Sequence, residues 1–314
     1  MPADLGRTAT LASMVRLSGA DLGALEVPGF EPTTDPTALA GRNGYQPAFL
    51  DGWEIPLPLG IGPAAKDMRE LRRGGRGVEL TYRNFSVVMS ASRRLPMITA
   101  TNIDGTQARP INREDIAWSF DGRLDKEDQW GDEVYVHTLV DRGHMVRRLD
   151  PVWGSWEEAE QANEDTFHFT NSCPQVAAVN RRTWLGLENY ILKNADVHDL
   201  RVNVYTGPFF GDLDRELPGG ARAPLAFFWK VVSIVTGDGR PSATAYKVSQ
   251  EAELSELEFA FAGYKTFQIS VQQVIAGANI DFTSLVAFDG FSQYERETGE
   301  PLAEVLESLE QVRV

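Results

Sequence analysis

Four consecutive residues, Asp141-Arg142-Gly143-His144, set a carboxylate, a permanent cation, a residue without a side chain and a ring that titrates near neutrality side by side. Hydrolysis of a phosphodiester needs such parts. The attacking hydroxide meets a shell of negative oxygen, so a catalyst must supply a base for water, a cation for the developing charge and help for the leaving oxygen. Histidine is the base that works near pH 7. Arg142 stays charged and suits phosphate geometry, and Gly143 permits close backbone approach or unusual φ/ψ. Asp141 could orient a ring, a backbone group or an arginine. Further along, Asn180 offers a neutral carbonyl oxygen suited to a hard cation such as Mg²⁺. Glu188 follows eight residues later, about two turns and ~12 Å along a helix axis. Both cannot ligate one ion directly on a regular helix, so Glu188 would act through metal-bound water, which Mg²⁺ retains readily. Each residue also has a plainer reading: His144 as a structural histidine, Asn180 as a helix cap, Glu188 as a solvated face residue.

These residues need elements to hold them. The alternating run EVYVHTLV (133–140) reads as a strand that delivers the motif at its end. TFHFTN (166–171) reads as another strand. In residues 176–195, Val176, Val179, Trp184, Leu187 and Ile191 recur at helical spacing. Upstream, AAKDMRELRR (64–73) is a short helix stopped by Gly74-Gly75, and LTYRNFSVVMSA (80–91) and PMITATNIDG (96–105) are neighbouring antiparallel strands joined by a basic turn. RVNVYTGPFF, PLAFFWKVVSIV and ATAYKVSQ add three strands, and PLAEVLESLEQV closes the chain as an amphipathic helix carrying Leu302, Val305, Leu306 and Leu309. Hairpin strands interrupted by helices give an α+β class with a mostly antiparallel central sheet and flanking helices. Residues 1–40 read as an extended or partly disordered arm, 41–290 as the catalytic domain and 291–314 as an acidic C-terminal helix. No internal repeat, Walker loop or strand-following GxGxxG is present.

The chain has 314 residues, 42% hydrophobic and 24% charged, enough for a full core and too polar for a membrane protein. No apolar run approaches the ~18 residues of a membrane span, and the N-terminal stretch lacks the apolar region of a secretory signal. With Cys173 alone, the reading is a reducing cytoplasm. The net charge of -15 opposes a nucleic-acid partner at long range. Its distribution softens that: residues 249–314 hold 12 acids and 3 bases, whereas residues 76–150 hold 12 acids and 11 bases, so a neutral or locally basic cleft is compatible with the total.

DRGH at 141–144, TNSCPQ at 170–175 and the pattern of Asn180, Trp184, Leu187 and Glu188 together resemble the DNA/RNA non-specific endonuclease family, the ββα-metal nucleases. Weaker likeness runs from about residue 40 to 290. The resemblance implies a ββα-metal catalytic motif, with His144 as general base, Asn180 as the direct Mg²⁺ ligand (Mn²⁺ as a substitute) and Glu188 on the metal's water. It also implies Asn171 as the site asparagine, Arg142 as the motif arginine and Arg123 as the transition-state arginine. Met145-Val146-Arg147-Arg148 departs from the family's usual continuation; Arg147 and Arg148 could meet phosphate or pair with the acids of 157–165. Arg181 and Arg182 either touch the nucleic-acid backbone or face solvent. His137, His168 and His198 read as structural, and Cys173 as a small packed residue.

The implied activity is a metal-dependent, sugar-non-specific endonuclease on DNA and RNA, leaving a 5′-phosphate. A non-specific nuclease without an export signal endangers its own cell, so a further expectation is a regulated effector in defence against phage. The alternative is a catalytically idle nucleic-acid-binding or scaffold protein on the same fold. A homodimer and a regulatory protein partner are both compatible with the chain.

Overall fold

The computed structural model describes residues 31–112, 115–136, 138, 140–176, 200–211, 214–224, 227–249, 266–298 and 304–305. Two-residue β1 (Thr33–Thr34) and helix α1 (Pro63–Asp67) precede the first hairpin. There the run 80–91 is folded back on itself rather than continuous. β2 (Glu79–Tyr82) turns at Arg83-Asn84 into β3 (Phe85–Met89). Asn84 takes the turn with φ of 66°, a left-handed conformation that asparagine tolerates. β3 pairs antiparallel with β4 (Pro96–Asp104) across the basic turn.

β4, β8 (Arg201–Pro208), β11 (Phe227–Val235), β12 (Pro241–Ser249) and β13 (Thr266–Ile269) continue the antiparallel pairing. The eight-stranded sheet runs β14-β13-β12-β11-β8-β4-β3-β2, with β14 (Glu304–Val305) on the far edge. Short strands β5 (Phe120–Asp121), β9 (Arg215–Glu216) and β10 (Arg222–Ala223) lie outside it. Glu304 and Val305, inside the segment expected as a C-terminal amphipathic helix, are therefore extended; they stand opposite Gln268 and Phe267 of β13 in an antiparallel pair. Helix α4 (Gly290–Thr298) occupies the start of the expected 291–314 segment.

All nine residues of β4 are buried, because the sheet is covered on both sides. One side carries the main core, in which Trp229, Tyr205 and Phe282 pack edge to face with helix α3 (Val271–Ala278) and the 3₁₀ turn Thr283–Phe288. Polar residues of β4 are matched in place: Asn102 donates to Asn203 Oδ1 (2.8 Å) and accepts from the Gln46 amide (2.7 Å). This agrees with the rule that buried polar groups find partners. The opposite side is built from Leu80, Tyr82, Phe85, Val87, Met89, Leu124 and Val146, and from Leu95, Met145, Cys173, Phe228 and Val248. Val146, Met145 and Cys173 belong to the motif region, so the sheet's second face is the platform for the site. Among the described residues, no helix is long and apolar enough to cross a membrane.

Candidate active site

The motif is not at the end of a strand; it is the strand. The expected strand 133–140 instead begins as a 3₁₀ turn at Asp132–Val134, and β6 is Val140–His144. Its partner, antiparallel β7 (Ser172–Val176), follows a 3₁₀ turn at Phe169–Asn171, where the second strand was expected. The ladder sets Arg142 opposite Pro174, Gly143 opposite Cys173 and His144 opposite Ser172. Arg142 and His144, two apart, share one face.

His144 is half-buried. Its ring lies 4.7 Å from Trp118 and 5.0 Å, edge-on, from Phe167. Two aromatic walls restrict the imidazole to few rotamers, which is what a positioned base requires. Arg142 donates through Nε to Asp132 Oδ1 (2.7 Å), pairs with the same carboxylate through Nη2, and lies 5.8 Å from the Tyr135 ring. Tyr135 and Ser172 share a hydroxyl–hydroxyl hydrogen bond of 3.0 Å, and burial pushes the Tyr135 phenol well above its ordinary range. The 3₁₀ turn thus tethers both strands of the hairpin, one through Asp132 and Arg142, the other through Tyr135 and Ser172.

On the other face, Gly143 has no room for a side chain. A Cβ built there would meet Gln175 Cγ at 2.5 Å, and Cδ and Oε1 closer still. Gln175 is buried and its Oε1 has no hydrogen-bond partner among the described residues. Cys173, beside it, is fully buried, and burial raises its thiol pKa well above the usual value.

Two expected site residues are placed differently. Asn171 is fully buried, its amide spent on backbone: Nδ2 donates to the carbonyls of Val146 and Thr166 (both 3.0 Å), and Oδ1 accepts from Val146 N (2.8 Å). It fixes the turn that leaves the motif, and its effect on the site is positional. Arg123 is 3% exposed. Its Nη2 donates to Asp121 Oδ2 (2.7 Å), Nε to Asp121 Oδ1 (3.0 Å) and Nη1 to the Thr81 carbonyl (2.8 Å). Burial opposes both charges, yet the pair wins: Asp121 is held below the usual carboxylate range and Arg123 above its own. Tyr82 donates to Asp121 and bonds Thr170, so this buried network braces the residue next to Asn171. In this conformation all three guanidinium nitrogens of Arg123 donate to groups of the protein itself.

Arg148 donates to Asn163 Oδ1 (2.9 Å) and the Ile111 carbonyl (3.3 Å) on and beside helix α2 (Trp156–Asp165). His168 is buried, bonded to the Asp165 carbonyl and Thr34 Oγ1. Asn180, Glu188, Arg181, Arg182, His137 and His198 lie outside the described residues. Among the described residues no group of three or more His, Cys, Asp or Glu could hold a metal. Sequence reasoning missed Trp118, Phe167 and Asp132, none of which carries a local signal of its role: each reaches the motif only through the tertiary fold; Gln175 stands in the TNSCPQ segment, but its packing against Gly143 was not legible there.

The profile of the DNA/RNA non-specific endonuclease family matches residues 68–289. The chain is 36% identical over 272 residues to the uncharacterized protein y4fB of Sinorhizobium fredii, covering 80% of this chain and 40% of that protein. It is 33% identical over 76 residues to mitochondrial endonuclease G of Bos taurus, covering 24% of this chain and 23% of that one. This chain thus spans less than half the length of either relative. A chain in the crystal structure of the EndoG/EndoGI complex matches with a TM-score of 0.55 at 17% identity, covering 66% of this chain and 86% of its own, a likeness of fold. Since the family profile spans more than two thirds of the sequence and includes the hairpin described above, the chain belongs to the DNA/RNA non-specific endonuclease family.

Proposed function

We propose that this chain is a metal-dependent, sugar-non-specific endonuclease that hydrolyses phosphodiester bonds of DNA and RNA. The observation that carries the reading is the placement of His144 and Arg142 on one face of a tethered hairpin, the imidazole held between Trp118 and Phe167. His144 takes a proton from water as the water oxygen bonds to phosphorus. The bond from phosphorus to the 3′ oxygen breaks, and the leaving oxygen takes up a proton from solvent, giving a 5′-phosphate and a 3′-hydroxyl. Arg142, oriented by Asp132, supplies fixed positive charge near the reacting phosphate.

Asn180 would hold Mg²⁺ through its amide oxygen and Glu188 through water, a hard-oxygen donor set that suits this ion, with Mn²⁺ as a substitute. When bound, the metal supplies charge neutralisation at the phosphate. A non-specific nuclease endangers its own cell, and we extend the proposal to a regulated cytoplasmic effector in defence against phage. A fold relative is known in complex with an inhibitor, which supports control by a partner protein.

The test is cleavage of supercoiled plasmid and of RNA, with Mg²⁺, with EDTA and with the His144→Ala protein. Both substrates should be cut with Mg²⁺ and spared with EDTA. The variant should lose at least ~10²-fold in rate, the contribution expected of a general base, at an unchanged melting temperature. A folded His144→Ala protein with full activity overturns the assignment. Wild-type protein that binds nucleic acid and cuts neither substrate would be the idle binding protein instead.

A further inference from the structure

With Arg123 buried, phosphates flanking the scissile bond must be met by other cations. We propose that the loop Leu71-Arg72-Arg73-Gly74-Gly75-Arg76-Gly77 is a docking surface for the phosphate backbone of nucleic acid; this rests on the nucleolytic reading above. Three arginines and three glycines fall in six residues, and positions 72–77 are all exposed.

The loop is short of contacts at its tip and firmly held at its base. Leu71 N donates to the Gly77 carbonyl (2.8 Å), closing it. The amides of Arg72 and Arg73 both donate to the Arg123 carbonyl (2.9 and 3.1 Å). Gly74 has φ of +69°, and the space of its missing Cβ is bounded by the Arg123 side chain at 3.0 Å. The loop is therefore seated on the buried Arg123–Asp121 pair. Leu71 packs on the same cluster as Leu124 and Val146, and Val146 is two residues beyond His144. This arginine loop and the catalytic hairpin are thus anchored in one core cluster.

The arginines are available. Arg73 pairs with Asp125 at 2.7 Å, with both side chains about half exposed, and exposed pairs of this kind are weak and exchangeable. Arg72 stands 3.9 Å from Asp125 and Asp128, beyond hydrogen-bond distance. Arg76 has no ion pair among the described residues. Arginine's planar fork matches phosphate oxygens two at a time, and the glycines let a phosphate chain approach the loop backbone closely. In a chain of net charge -15, such a loop offers at short range what the long-range field denies.

The experiment measures binding of unrelated 20-nucleotide duplexes and single strands to His144→Ala protein, and to the same protein with Arg72→Gln, Arg73→Gln and Arg76→Gln, across a salt series. Each phosphate neutralised adds roughly -0.9 to the slope of log affinity against log salt on duplex and about -0.7 on single strands. Loss of three contacts should flatten the slope by about 2 to 3. The parent then loses roughly 40-fold more duplex affinity than the variant between about 50 and 200 mM salt. Arg240→Gln, an exposed arginine paired with Asp238 on the β11–β12 turn, controls for charge and should leave the slope unchanged. Equal slopes for the parent and the triple variant, with melting temperatures matched, overturn the proposal and leave the nuclease reading standing. A slope change equal to that of Arg240→Gln, scaled for charge, also overturns it, since net charge alone would then be responsible. A parent protein that binds no nucleic acid would instead bring down the reading on which the proposal rests.

Discussion

Replacing Gly143 by alanine puts one carbon atom into space that Gln175 already fills. The new Cβ would sit 2.5 Å from Gln175 Cγ and closer to Cδ and Oε1. Gln175 is 1% exposed and cannot swing into solvent. The strand must shift, or the glutamine must leave its rotamer within a packed core. Overpacking of this kind costs about 1–3 kcal/mol, which lowers the melting temperature by roughly 2–12 °C at about 2–4 °C per kcal/mol. His144 is the next residue, so a shift of ~1 Å in β6 should also cost on the order of 10²-fold in cleavage rate. The assay is thermal melting and plasmid cleavage of Gly143→Ala, Gln175→Ala and the double variant. Alanine at 175 removes the three atoms nearest the new Cβ, so the double variant should be more stable than the sum of the single effects, with a coupling of about 0.5–3 kcal/mol. Simple additivity, or a Gly143→Ala protein as stable and as active as wild type, would refute the packing argument.

Arg123→Met strands Asp121 without its cation and should cost about 3–5 kcal/mol, as removal of one partner of a buried pair does; a variant with an unchanged melting temperature and no cleavage would instead return Arg123 to the reacting phosphate. Asn171→Ala leaves Val146 N, Val146 O and Thr166 O unmatched, each at about 1–3 kcal/mol before water re-enters, so urea unfolding should shift by at least about 2 kcal/mol; a smaller shift would mean the amide does not staple the turn. Ser155→Ala should cost about 1 kcal/mol, because Ser155 and Glu158 form a complete capping box on α2. The Ser155 amide and then its hydroxyl hold the Glu158 carboxyl below its usual range. That contribution is present above the ordinary carboxylate pKa of about 4.3 and is lost as pH falls through the depressed value. The share of the stability gap between wild type and Ser155→Ala that comes from the hydroxyl–carboxylate bond should therefore be lost below about pH 4; a constant gap would mean that the Ser155 hydroxyl does not hold the Glu158 carboxyl.

The residue types proposed to carry the chemistry were legible in one dimension, and so was the class of fold. Asp141 to His144, the NSCPQ segment and the later asparagine and glutamate are short patterns whose spacing survives without a structure. The three long strands from 201 onward show their alternation locally, and the β11–β12 pairing needs only a short turn. What the sequence could not decide is where alternation stops meaning strand. Residues 133–136 alternate, yet Val134 and Tyr135 bury themselves from a 3₁₀ turn as well as they would from a strand, because a single turn also sets neighbouring residues inward. β6 exists because β7, some thirty residues later, supplies its hydrogen bonds despite carrying Pro174; no local pattern reports that partnership. Arg123 is legible as an arginine near a motif, but its role turns on the Asp121 carboxylate and the Thr81 carbonyl, the latter forty-two residues away. Sequence determined which functional groups are available. Only the tertiary structure, by deciding which of them burial forces into mutual partnership, determined which remain free to meet a substrate.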